Sequence, residues 1–273
     1  MAEENSKCET CNEKTEGCSP DTCEQSLKLP QNEYNEIKHV IGVMSGKGGV
    51  GKSSVTSLLA MGLHKQGFKV GIMDADITGP SIPKMFGLHE RPGNYNDCLL
   101  PVTSSSGIKV MSINLLLPSE DDPVIWRGPI LAGAVKQFWS DVAWGRLDYL
   151  IVDLPPGTGD IPLTAMQSLP LDGMVVVTSP QELAQMVVRK AIKMSAQLGI
   201  PMLGMVENMS YLKCPDCGKE ISVFGPSRGK KMAISEGIRL LEILPIDPAL
   251  AELCDQGRVE GYQTDAFSKE PLC

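Results

Sequence analysis

The sequence contains no apolar run near the roughly 18 to 20 residues that a membrane-crossing helix requires. No membrane partner is expected. The first residues, Met1-Ala2-Glu3-Glu4-Asn5-Ser6-Lys7, are acidic and lack the apolar core of a secretion signal, so a cytoplasmic protein is expected. No basic stripe interrupts a chain of net charge −8, and nucleic acid is therefore not an expected partner. Histidine is scarce, and His39, His64 and His89 stand apart without ligand spacing. There is no internal repeat.

What is present fits a folded α/β protein. The 273 residues, 42% of them hydrophobic, allow one large domain or two small ones with a sizeable core. Charge is uneven: residues 1–37 carry a net −6 and the remainder −2. Nine cysteines lie at 8, 11, 18, 23, 98, 214, 217, 254 and 273, six of them in two clusters. Clustering in a cytoplasmic chain points to metal or redox chemistry more than to structural disulfides. We therefore expect an acidic, Cys-rich extension over residues 1–37 and a folded domain over 38–273. Cys98, Cys254 and Cys273 read as buried or incidental thiols.

The strongest motif is Gly46-Lys47-Gly48-Gly49-Val50-Gly51-Lys52-Ser53, with Ser54 behind it, which fits G-x-x-x-x-G-K-[ST]. Its glycines let backbone N–H groups curl around phosphate, Lys52 reaches the β- and γ-phosphates, and the Ser53 hydroxyl suits Mg²⁺. An apolar strand over 39–44 enters the loop and a helical pattern over 51–66 leaves it, which puts a helix N-terminus on the anion. Lys47 is an extra cation. It either points to solvent or reaches a nucleotide held by a second copy of the chain.

Further strands are expected over 68–73, 107–113, 148–152, 173–178, 201–206 and 241–244, with helices over 130–143, 160–168, 181–198, 227–236 and 248–256. Near-continuous apolar strands alternating with helices predict a doubly wound, mostly parallel sheet with helices on both faces. Ligands then belong beyond the carboxyl ends of the strands. Asp153 ends one such strand and is placed to hold Mg²⁺ with Ser53. The loop 154–160, Leu-Pro-Pro-Gly-Thr-Gly-Asp, reads as a switch near the γ-phosphate or as a plain turn into the next helix, and the two are compatible.

Cys214-Pro215-Asp216-Cys217-Gly218, in a loop near 211–224, is a C-x-x-C turn that presents two sulfurs to one atom or cluster. Two thiolates are half of a four-ligand set, which a twofold mate would complete. [4Fe–4S] and Zn²⁺ both fit that stoichiometry, and a redox dithiol is a third reading.

The loop with its added Lys47 resembles the deviant Walker A ATPases, the group of MinD, ParA and the nitrogenase iron protein. That resemblance implies ATP as substrate, a homodimer around two nucleotides, and contact from Lys47 to the partner's phosphates. It implies that Asp76 positions the attacking water, that Asp74 supports Mg²⁺ through water, and that Asn208 bonds adenine. Lys47, Lys52 and Asp76 are then the catalytic set. Taken with Asp74-Ala75-Asp76-Ile77-Thr78-Gly79-Pro80-Ser81, the 153–160 segment and the late C-P-x-C-G, residues 38–256 resemble the Mrp/ApbC iron–sulfur carrier proteins. This implies a [4Fe–4S] cluster bridged by Cys214 and Cys217 of two subunits and passed to apo iron–sulfur proteins. Scaffold-type relatives also carry four N-terminal cysteines with a long gap before the first close pair. Here the close pair comes first, at Cys8 and Cys11, followed by Cys18 and Cys23. These four hold a second cluster, a zinc ion or nothing. A MinD- or ParA-like positioning switch and an ATP-driven electron donor are the alternative readings.

Overall fold

Strand and helix alternate through most of the chain, because apolar runs short enough for strands are separated by segments with helical apolar spacing. The computed structural model describes residues 28–77, 79–118, 128–268 and 272. In order these form β1 (Glu36–Ser45), α1 (Lys52–Lys65), β2 (Val70–Asp74), α2 (Ile82–Phe86), the short strands β3 (Asn94–Tyr95), β4 (Cys98–Leu99) and β5 (Val102–Thr103), β6 (Lys109–Ser112), α3 (Gly128–Ser140) and β7 (Arg146–Asp153). There follow α4 (Asp160–Ser168), β8 (Gly173–Thr178), α5 (Glu182–Gln197), β9 (Met202–Glu207), the hairpin strands β10 (Leu212–Lys213) and β11 (Glu220–Ile221), α6 (Gly229–Glu236), β12 (Leu240–Ile243) and α7 (Pro248–Asp255).

Eight strands make one sheet in the order β12-β9-β8-β1-β7-β2-β6-β5, parallel throughout except for the β5 edge. The expected doubly wound architecture is present. Alternate residues of each strand feed two cores. Val40, Met44, Leu150, Val152, Met174 and Val176 face one side, under α3 to α6. Ile41, Val43, Ile72, Ile151, Val175 and Val177 face the other, under α1, α2 and α7. Burial on both faces explains why these strands read as continuous apolar runs. Trp139 and Trp144 fill the first core, and each indole N–H is satisfied: Trp144 donates to Phe138 O at 3.0 Å, Trp139 to Pro30 O at 2.9 Å. Residues 29–35 are thus tied to the domain, a link reinforced by Leu29 N donating to Ser168 O at 3.0 Å.

Some boundaries differ from the expected ones. The helix expected over 130–143 ends at Ser140, because Leu99 N donates to Asp141 O and Ala143 N to Leu99 O, drawing 141–143 into a β-bridge. The strand expected to reach 113 stops at Ser112, whose hydroxyl accepts from Asn114 N and starts a 3₁₀ turn. Helix α2 and the β10–β11 hairpin had no periodic signal, each being too short to show one. Among the described residues no helix is long and apolar enough to cross a membrane. Cys8, Cys11, Cys18, Cys23, Thr78 and Cys273 lie outside the described residues.

Candidate nucleotide site and cysteine hairpin

The carboxyl ends of β1, β2, β7, β8 and β9 converge on one edge, and register fixes who meets whom: Asp74 pairs with Asp153 and with Ser112, and Thr178 with Glu207. The loop 46–51 joins β1 to α1. Gly49 and Gly51 both have φ 76, a left-handed backbone that other residues rarely adopt. A Cβ on Gly51 would also lie 2.3 Å from Asn208 Nδ2. Gly51→Ala is therefore expected to cost about 1–3 kcal/mol in stability, read by denaturant unfolding, and to weaken nucleotide binding. A variant as stable as the parent would refute the close contact.

Lys52 is 6% exposed and sits in a ring of carboxylates. Its Nζ lies 2.7 Å from Asp153 Oδ2 and 3.4 Å from Asp76 Oδ2. Burial pushes the ammonium down, but Asp153, Asp76 and Asp74 outweigh it, and the net direction is up. Asp153 also accepts from Ser53 Oγ at 2.6 Å and from Thr56 Oγ1 at 2.7 Å. Thr56 was not singled out in the sequence, although its place one helical turn after Lys52 is a readable signal.

Asp74 is fully buried and accepts from Ser112 Oγ at 3.1 Å. Burial, with Asp153 adding to it, pushes its carboxyl up to about 8 despite the opposing pull of Lys52. A free carboxyl titrates near 3.8, so across the interval from there to about 8 the folded chain holds a proton that the unfolded chain has lost. Stability contributed by this group is present at low pH and falls as pH rises through that window. Asp74→Asn, neutral throughout, is expected to flatten the slope between about pH 4 and about pH 8 in a denaturation series. An unchanged slope would assign the proton to another group.

Lys47 is half-buried rather than free in solvent, and its Nζ donates to Gln181 Oε1 at the start of α5. Asn208 is 7% exposed and donates its Nδ2 to Val50 O at 2.9 Å, bracing the back of the loop. The sequence offered no sign of that bond, which joins residues 158 positions apart. In the loop 154–160, Gly157 N donates to Ser45 O at 2.8 Å, resting the segment on the entrance of the phosphate loop. Thr158, Gly159 and Asp160 are exposed.

The two cysteines form the tip of the β10–β11 hairpin. Cys214 N donates to Lys219 O and Gly218 N to Cys214 O, each at 2.9 Å. Backbone N–H groups of Cys217 and Asp216 point at the Cys214 sulfur and lower its thiol pKa, which favours the thiolate that ligates metal. Cys214 is half-buried and Cys217 exposed. Among the described residues no third His, Cys, Asp or Glu joins them into a metal-binding group. Cys254 is a buried thiol and Cys98 a half-buried one.

The model of the NUBPL iron-transfer P-loop NTPases, within the ParA group, matches residues 36–270. The chain belongs to this family. It is similar to an iron–sulfur cluster carrier protein of Methanocaldococcus jannaschii, at 48% identity over 94% of this chain and 90% of the relative. A solved nucleotide-binding protein from Archaeoglobus fulgidus, in complex with ADP and with cobalt found in it, superposes with a TM-score of 0.78 at 48% identity. That match covers 86% of this chain and 93% of the other. The cell division ATPase MinD of Pyrococcus furiosus has the same fold, with a TM-score of 0.60 at 21% identity over 85% and 95% of the two chains. The P-loop, the ATP-binding character and the iron–sulfur assignment expected from the motifs agree with this family.

Proposed function

We propose that the chain hydrolyses ATP and uses the cycle to hold a [4Fe–4S] cluster between two copies of itself and release it to apo iron–sulfur proteins. The observation that carries this reading is the half-site: two sulfurs on an exposed hairpin, one eased toward thiolate by backbone N–H groups, with no third ligand beside them among the described residues. A twofold mate supplies the other two. Ile221, Val223 and Phe224, exposed by 46%, 50% and 39% beside the hairpin, give that mate an apolar surface to cover.

For the ATPase, Gly46 to Ser54 would cradle the phosphates, with Lys52 on the β- and γ-groups and Asp76 at their edge to orient the attacking water. Asn208 would contact adenine. Lys47 would leave Gln181 for the partner's nucleotide as the dimer closes. The hard oxygens of Ser53 and Asp153, 2.6 Å apart, suit Mg²⁺, with Asp74 behind them. When bound, the ion neutralises charge on the phosphate oxygens. Cys8, Cys11, Cys18 and Cys23 would form a second cluster site.

Anaerobic reconstitution with iron and sulfide tests the reading on a shortened chain beginning at Lys28, which keeps the Leu29 and Pro30 carbonyls that hold Trp139. About two irons per chain and a doubled molar mass are expected. Zinc with no iron would make Cys214 and Cys217 a structural clasp.

A further inference from the structure

We infer that Glu207, with the corner it anchors, is the link through which the phosphate loop sets the geometry of the cysteine hairpin. This rests on the reading of the hairpin as the cluster half-site. Glu207 ends β9 and is 1% exposed. A carboxylate that deep is costly unless its oxygens are saturated with donors. Here Oε1 accepts from Arg228 N at 2.9 Å and Gly229 N at 2.7 Å, at the start of α6. Oε2 accepts from Ser210 Oγ at 2.7 Å and from Ser227 Oγ.

Those donors sit at the two ends of one excursion. Ser210 precedes β10, Ser227 follows β11, and Cys214 and Cys217 lie between them. One buried carboxylate therefore clamps both feet of the hairpin. The next residue, Asn208, holds the Val50 carbonyl of the phosphate loop. Met209 then turns the chain at φ 55, a left-handed conformation unusual for its side chain. Ser210 N donates to Leu244 O at 2.9 Å and Leu244 N to Glu207 O at 2.9 Å, so the corner is stitched to the chain just past β12. A shift of the Val50 carbonyl on nucleotide binding is passed through Asn208 to Glu207 and to both hairpin feet, with no flexible segment intervening. Glu207 acts as a positioning residue, since it touches neither site directly.

Residue-resolved alkylation of Cys214 and Cys217 in the full chain, without iron, tests this. Rates are compared with and without Mg²⁺ and a non-hydrolysable ATP analogue at saturating concentration for each variant. In the parent the analogue is expected to change the rate at one or both cysteines by at least about fivefold. Glu207→Ala is expected to abolish that response while the analogue still binds. Glu207→Gln is expected to retain it, because the serine hydroxyls can reverse to accept from the new amide. If Glu207→Ala does not fold, the paired Ser210→Ala and Ser227→Ala variant decides, with the response expected to fall by at least half. Unresponsive cysteines in the parent, or a full response in Glu207→Ala or in the serine pair, would overturn the link. Cluster loading, measured separately, distinguishes the two ideas. A response without loading sinks the carrier reading and leaves the link standing, and loading without a response does the reverse.

Discussion

Replacing Cys214 and Cys217 together by alanine is expected to lower cluster donation to an apo iron–sulfur protein by at least about 100-fold and to remove about two irons per chain. Thiolates supply the binding free energy of such a cluster, and no other side chain among the described residues is placed to substitute for them. The loss should be specific. The bonds that close the hairpin, Cys214 N to Lys219 O and Gly218 N to Cys214 O, do not involve the sulfurs, although the half-buried Cys214 sulfur gives up the backbone N–H groups of Cys217 and Asp216. Stability should therefore change by no more than about 1.5 kcal/mol, the scale of one net hydrogen bond. Iron analysis, a transfer assay and denaturant unfolding on one preparation check all three statements. Transfer at the parent rate would place the transferred cluster elsewhere, with Cys8, Cys11, Cys18 and Cys23 as the remaining cluster of cysteines.

Lys52→Met is expected to reduce ATP hydrolysis by at least about 100-fold, the effect of removing one preorganised charge from a transition state. Methionine is close to lysine in volume but lacks the terminal ammonium, and so leaves Asp74, Asp76 and Asp153 facing one another without their cation. Breaking a buried ion pair from one side costs about 3–5 kcal/mol when the remaining charge cannot be neutralised. Here Asp74 already binds a proton up to about pH 8. The penalty should therefore be smallest in mild acid and grow as that proton is lost at higher pH. Steady-state hydrolysis and unfolding at several pH values would show both effects. A penalty that shrinks as pH rises would contradict the carboxylate ring as described.

Much of this was legible because local chemistry imposed it. The phosphate loop needs glycines at fixed offsets, and Gly49 and Gly51 do take the left-handed conformation that only such residues tolerate cheaply. Asp153 was legible as the acid closing a hydrophobic run, and it meets Ser53 at 2.6 Å. The pair Cys214 and Cys217 was legible from spacing alone. The doubly wound sheet followed from strands with apolar residues on both faces, which is how β1, β7 and β8 are buried.

The sequence could not supply contacts made across large separations. Thr56 joins Asp153 because α1 packs against the end of β7, and Ser112 joins Asp74 because β6 lies beside β2. Lys47 lies against Gln181 only because α5 begins next to the phosphate loop. Glu207 fell just past the strand expected over 201–206, and its four donors come from both sides of an excursion of some twenty residues. Sequence alone therefore determined the candidate groups, because glycine conformation, a paired thiol spacing or a carboxylate at a strand end is a property of one residue and its immediate neighbours. Tertiary structure alone decided how the nucleotide loop and the cysteine hairpin are joined, because a buried carboxylate accepts whichever donors the fold delivers to it.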